Sequence, residues 1–385
     1  MRRWLGLLAA GCGPASSVDS ATDLFQALDL PGCAGQYDDP ADEYAYVVSG
    51  RELVPVNPRS CTLGTPIALG SNPTTAAVTG SGRWIYVGDA QDHTLTVVSQ
   101  ERDEVDQVIP LPFAPDELMF EPAHTVLWVA DRQTGAVVLV ESAHHTVVGE
   151  ASFAPGFSAL GSTDAPPQTM VAAHPDGFVQ VLDQELRVEI ARIETGGPPL
   201  AVGHASNTAD LYVCVGGDAP ELWVVPSTGP LAFLTSTRVP LEAPCTGIRF
   251  NGYRYGAAIV PDRDVALVID TEVDAVAAEV PVGSDPDVVV LNGTHAAIGN
   301  LGSGDVSVVA LDGGAEIART PIGGPSTPVA RRLQDGLDPS FVYAFDPSGG
   351  TLSVIDLRDG APRLPVEVGP LTAMVVAGPR GGKCH

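Results

Sequence analysis

Six polar residues recur at near-equivalent places along this chain: Asp89, Asp131, His174, Asp262, Asn300 and Asp346. Each closes a short β-branched run and opens a turn. If those runs are strands set around a common axis, the six side chains share one face, which becomes the candidate ligand-binding surface. A ring of carboxylate and carbonyl oxygens suits Ca²⁺ or another hard divalent cation, with Asp89, Asp131 and Asp346 as the metal-binding candidates. His174 is the one imidazole in the series. With Asp131 and Asp176 it could serve as general base or metal ligand, and it is the catalytic candidate. The competing use is structural, because Asp and Asn at a strand end bond the backbone of the following turn. Pro175-Asp176-Gly177 after His174 fits a turn opener too. Converging carboxylates repel, so the paired change Asp89→Asn with Asp131→Asn is expected to weaken cation binding and leave the fold intact or more stable.

Other chemistry-bearing residues cluster less. Asp92, His93, Arg132, Asp218, Arg263, Asp264 and Asp305 lie in the same turns, while Asp183, Asp270 and Asp356 end the next runs as turn residues. The pair His144-His145 falls on the opposite side and is expected to be solvated. His93, His124, His204 and His295 have no common spacing, so no histidine metal cluster follows. The chain has no G-x-S-x-G, no H-E-x-x-H, no phosphate-binding loop and no dinucleotide fingerprint. Its tail, Lys383-Cys384-His385, has Gly381 where covalent haem attachment needs a first cysteine.

A repeat positions these residues. From residue 72 the chain has an internal period of about 42 residues, read as seven stretches: 72–113, 114–157, 158–197, 198–241, 242–283, 284–324 and 325–369. Each holds four short β-branched segments separated by Gly, Pro, Asp or Asn. In the last of them these are TPVAR, FVYAF, TLSVI and PVEV. Such units are blades of an all-β propeller, each able to bury its faces only against neighbours. Three strands precede the first stretch (EYAYVVS, ELVPVN, TPIALG) and one follows the last (LTAMVVAG). Three plus one makes an eighth, split blade that closes the ring. Seven blades is the alternative, because the first strand of 158–197, FSALGS, is weak. The domain limits are then 1–12 for a signal segment, 13–40 for a tether, 41–379 for the propeller and 380–385 for a tail.

The segment LVIDTEVDAVAAEVPVG (267–283) followed by SDPDVVVL resembles the repeat of YVTN-type β-propellers. So do Tyr86-Val87-Gly88-Asp89, Trp128-Val129-Ala130-Asp131 and Tyr343-Ala344-Phe345-Asp346 with Leu352 to Asp356. The resemblance covers roughly 44–378 and implies the fold. Relatives include surface-layer-like proteins, lactonase-like proteins and quinoprotein dehydrogenase subunits. It therefore leaves three functions open: a non-catalytic binding or cell-surface scaffold, a lactonase-like metal-assisted hydrolase, and a periplasmic redox subunit.

Arg2 and Arg3, the apolar run Trp4 to Ala10, and Ala9-Ala10-Gly11-Cys12 have the pattern of a secretory signal and resemble a bacterial lipobox, with Cys12 as the lipidated residue. No other apolar run approaches the roughly 18 residues of a membrane span. The expectation is a bacterial cell-envelope or extracellular protein, held to membrane only through that anchor. Export makes disulfides reasonable. Cys214 and Cys245 can join neighbouring blades, and one pair among Cys33, Cys61 and Cys384 can lock the split blade. Twenty basic against 47 acidic residues give a net charge of −27, which excludes nucleic acid as partner. A protein, peptide or glycan on the loop face of a monomer is the expected partner.

Overall fold

The β-branched runs become strands, and the strands sort into eight antiparallel sheets, the blades of a β-propeller. The computed structural model describes residues 44–377 except 58–61, 80–81, 122–124, 165, 323–332, 336–340, 347–349, 363–365 and 370–371. Blade 1 runs outward through Pro73–Val78, Trp84–Asp89, Thr94–Ser99 and Glu104–Pro110. Blades 2 to 7 repeat this order over 117–152, 159–194, 199–240, 247–281, 286–321 and 333–367. Blade 8 places Ala373–Ala377 innermost, then Tyr44–Ser49, Glu52–Asn57 and Thr62–Leu63. Tyr44 pairs with Ala377 and Val48 with Ala373. Glu52–Asn57 also pairs with Ile67–Ala68, so the third strand is two short pieces, one before the expected TPIALG (65–70) and one within it. The sheet count excludes the seven-blade alternative. The expected strand TPVAR, 327–331, lies outside the described residues, and Leu333–Asp335 is the inner strand of blade 7.

Strand position in the blade determines composition. The middle strands Trp84–Asp89 and Thr94–Ser99 are buried along almost their whole length, since both faces meet neighbouring blades. They therefore read as continuous apolar runs. The outermost strand Glu104–Pro110 is exposed apart from Ile109. Outer strands end in Pro110, Pro240, Pro281 and Pro321. A register shift interrupts the third-to-fourth strand pairing in blades 1, 2, 3, 5 and 6. Proline and bulges both discourage an exposed edge from pairing with another chain.

The apolar core is divided among the seams. Eight clusters lie among the described residues, one between each pair of adjacent blades. Tyr46, Val48 and Leu53 meet Ile85 and Val87 between blades 8 and 1, and Ala45 and Val47 meet Tyr343 and Phe345 between blades 7 and 8.

Two hydrogen bonds recur across the seams. On the face of the second-to-third strand turns, a hydroxyl beside the inner strand donates to the carbonyl of the proline opening the next blade. These are Thr372 to Pro73 at 3.3 Å, Thr74 to Pro115 at 3.2 Å and Ser158 to Pro199 at 3.4 Å. On the opposite face, the tyrosine third in a second strand donates to the turn between strands three and four of the next blade. Tyr46 donates to Asp103 at 2.9 Å and Tyr212 to Asp274 at 2.7 Å. Tyr86 meets His145 Nδ1 at 2.7 Å. Asp103, His145 and Asp274 all have positive φ, between 49° and 55°, at the last residue of that turn. His145 is thus buried, contrary to the expected solvation, because it is the seam partner of Tyr86; His144 beside it is exposed.

The seam between blades 4 and 5 is also covalent. Cys214 and Cys245 form a disulfide with Cα atoms 5.4 Å apart, as their places at the two blades allow. Cys12, Cys33, Cys61 and Cys384 lie outside the described residues, as do the signal segment, the tether and the tail.

Deleting residues 371–385 removes the strand paired to Tyr44–Ser49 and the Thr372 bond to Pro73. The truncated protein is expected to melt at a clearly lower temperature by circular dichroism. An unchanged melting curve would show that ring closure does not depend on this pairing.

Candidate functional site

The second-to-third strand hairpins do collect on one face, but their carboxylates turn into their own loops. Asp89 ends its strand opposite Thr94 and is buried. One carboxylate oxygen accepts the Asn72 N–H at 2.7 Å; the other accepts those of Gln91 at 2.9 Å and Asp92 at 2.7 Å. It thereby pins its own turn and the segment entering blade 1. That approach requires glycine at 70, where a Cβ would lie 2.3 Å from the Asp89 carboxylate. Asp92 completes the clamp on Ser71 N–H at 2.8 Å. Asp131 caps its turn in the same way, accepting from Gln133 and Thr134 N–H and, at 2.6 Å, from the Thr134 hydroxyl. Asn300 donates to Asp305 at 2.7 Å and Ser307 at 2.9 Å, and its own oxygen is buried without a partner among the described residues. Asp346 is buried opposite Thr351.

Asp262 departs from the series. Val260 ends the second strand of blade 5, and Asp262 sits two residues beyond it, exposed in the short 3₁₀ turn Pro261–Arg263. Among the described residues no three His, Cys, Asp or Glu side chains come together to hold a metal ion. The Asp89, Asp131 and Asp346 cation site is therefore not assembled. Acceptors that cap backbone N–H groups within separate hairpins do not converge on one ion.

His174 is 1% exposed. Its ring stacks on Phe178, with centroids 4.3 Å apart, and meets the edge of Phe157 in the loop from blade 2. Arg192 covers the other aromatic partner, 4.4 Å from the Phe178 centroid. Burial, then the nearby Arg192 cation, holds the imidazole below its ordinary pKa; Gln180, Asp176 and Glu189 oppose this without prevailing. Nε2 is buried with no hydrogen-bond partner among the described residues. Asp131 and Asp176 do not join it in a metal-binding group. The buried imidazole packs between Phe178 of its own blade and Phe157 of the preceding loop, out of contact with solvent.

One constellation lacked any sequence signal. His204, in the inner strand of blade 4, has Nδ1 3.1 Å from Asp164 Oδ1 and Nε2 3.4 Å from Ser227 Oγ. These are the residue types of an acyl-transfer triad. Ser227, however, is fully buried and donates its hydroxyl to the Ala209 carbonyl at 2.7 Å. The trio ties blade 3 to blade 4. No motif marks it, since its members sit 40 and 23 residues apart. A cavity of about 700 Å³ on the flank of blade 2, lined by Phe113, Thr134, Val137, Glu150 and Arg187, contains none of the six candidates.

No protein-family model and no curated relative matches the sequence. Solved structures do match in shape. Apo AztD from Citrobacter koseri aligns at TM-score 0.65 and 12% identity, over 89% of this chain and 100% of that one. The dihydro-heme d1 dehydrogenase NirN, in complex with DHE, aligns at TM-score 0.68 and 15% identity over 94% and 82%. Hydrazine synthase from Kuenenia stuttgartiensis aligns at 0.56 and 14% over 74% and 95%. At these identities the likeness is one of fold.

The structure reverses the sign expected for the paired change Asp89→Asn with Asp131→Asn. An amide nitrogen in place of an acceptor oxygen strands at least one buried N–H at Asp89, at a cost of about 1–3 kcal/mol. The double variant is expected to melt below wild type, with and without Ca²⁺. A stabilised variant, or a Ca²⁺-dependent rise in wild-type melting that the variant lacks, would restore the acidic-ring reading.

Proposed function

We propose that this chain is an exported, lipid-anchored β-propeller that acts as a non-catalytic binding scaffold, presenting its hairpin face to a protein, peptide or glycan. The carrying observation is the use of the strand-end carboxylates. Asp89 and Asp131 are bound to backbone N–H groups, so they stiffen the face instead of standing ready for proton transfer. The disulfide between blades 4 and 5 supports an oxidising compartment, since such bonds are rare in reducing cytoplasm. The lipobox-like segment ending at Cys12 supports an envelope address, and the YVTN-like repeats accord with a surface-associated propeller. A net charge of −27 favours a basic partner, held less tightly as salt rises.

In a bacterial host, wild type is expected in the detergent phase with a lipid-bearing Cys12 by mass spectrometry, and Cys12→Ser in the soluble fraction. A wild-type protein already soluble with residues 1–11 retained would end the anchored reading. Lactone hydrolysis lost in His174→Ala would replace the scaffold reading with the hydrolase.

A further inference from the structure

We propose that the seam between blades 1 and 2 is a pH-sensitive latch, released when His145 takes up a proton in mildly acidic surroundings. At the seams of blades 8 and 1 and of blades 4 and 5, the tyrosine hydroxyl donates to Asp103 and Asp274. A carboxylate remains an acceptor at any pH well above 4. At the seam of blades 1 and 2 the same position, with the same positive φ, holds His145. With the tyrosine donating as it does at the other two seams, the acceptor there is the imidazole Nδ1, 2.7 Å from the Tyr86 hydroxyl.

Protonation removes that acceptor. The new Nδ1–H can only donate towards the Tyr86 oxygen, which leaves the tyrosine proton without its partner in a buried site. Tyr86 is fully buried and His145 is 5% exposed, with Trp84 packed edge-on at 4.4 Å. Stranding a buried donor and burying a cation both favour opening the seam.

The surrounding charges do not rescue the imidazolium. On blade 1, the turn before the second strand offers Arg83, a like charge, and the outer strand offers Asp106, already held by Arg102. Gln107, also on that strand, donates to the His145 carbonyl at 3.3 Å, leaving the ring alone. On blade 2, Glu141 accepts from the Ala143 and His144 backbone and from the His144 ring. Neither carboxylate hydrogen-bonds the His145 ring. Burial is the largest influence and, with His144 and Arg83, holds the imidazole below its ordinary value against Asp106 and Glu141. The sign follows. A group whose pKa is lower folded than unfolded contributes its full stability above the unfolded value, about 6.5, and loses it as pH falls below.

Hydrogen exchange of the full chain at pH 7.5 and pH 5.0, corrected for intrinsic rates, tests this. One imidazole titrating only when the seam opens raises the open population by up to about thirtyfold between pH 7.5 and 5.0. That rise is expected in Trp84–Asp89, Val126–Ala130 and Ala136–Glu141, and is not expected in Tyr44–Ser49, whose seam uses Asp103. His145→Asp copies the other seams and suits the positive φ. It is expected to keep protection at pH 7.5 and abolish the rise at pH 5.0. Equal loss at the two seams in wild type, or a rise that persists in His145→Asp, would overturn the latch. Should His145→Asp fail to fold, the wild-type comparison between seams still decides.

Discussion

A four-stranded blade has two apolar faces and nothing within itself to cover them, so each blade depends on both neighbours. The seam of blades 8 and 1 alone buries eight side chains in one cluster. Each contributes about 1.5–3 kcal/mol before the entropy of ordering, against about 1 kcal/mol net for a hydrogen bond. Burial therefore holds the ring together. The recurring hydroxyl and tyrosine bonds serve a different end, because a cluster of Val, Ile and Leu tolerates sliding and a directed bond does not. They fix how one blade is set against the next.

This division explains which features could be read from sequence. The blade pattern was legible because a buried middle strand needs an unbroken β-branched run such as Thr94–Ser99, and an outer strand a charged, alternating one such as Glu104–Pro110. Both are local properties of a few consecutive residues. The Cys214–Cys245 bridge was legible for a related reason, since both cysteines fall at strand positions that the repeat already places on adjacent blades.

What was not legible depends on partners far away in sequence. Asp89 and Asp131 look alike as cation ligands or as turn caps; the choice rests on where their oxygens point. Asp262 was displaced from the series because Pro261 starts a 3₁₀ turn after Val260, lengthening the approach without changing the residue type. His145 looked like half of a solvated pair because its partner, Tyr86, is 59 residues upstream. Asp164, His204 and Ser227 belong to two blades and share no spacing. In each case the deciding contact crosses a seam or closes a loop, and neither leaves a periodic trace.

The tyrosine bonds span 57 to 62 residues, more than one repeat. At the seam of blades 2 and 3 the pairing has changed at both ends. Trp128 takes the tyrosine position, and its buried Nε1 has no partner among the described residues. Arg187, itself a donor, takes the turn position and reaches instead to the Val148 carbonyl at 3.1 Å. Its guanidinium lies where residue 149 could carry no Cβ, 1.7 Å from the Arg187 terminal nitrogen, and the chain has Gly149 there. A change in one blade has thus been matched in the next. Blades of this ring are consequently not interchangeable parts. A graft of blade 1 alone would carry Asp103 away from Tyr46 and Tyr86 away from His145. At such seams the segment that can move without leaving orphans runs from the middle of one blade to the middle of its neighbour, so the unit of design there is the joint.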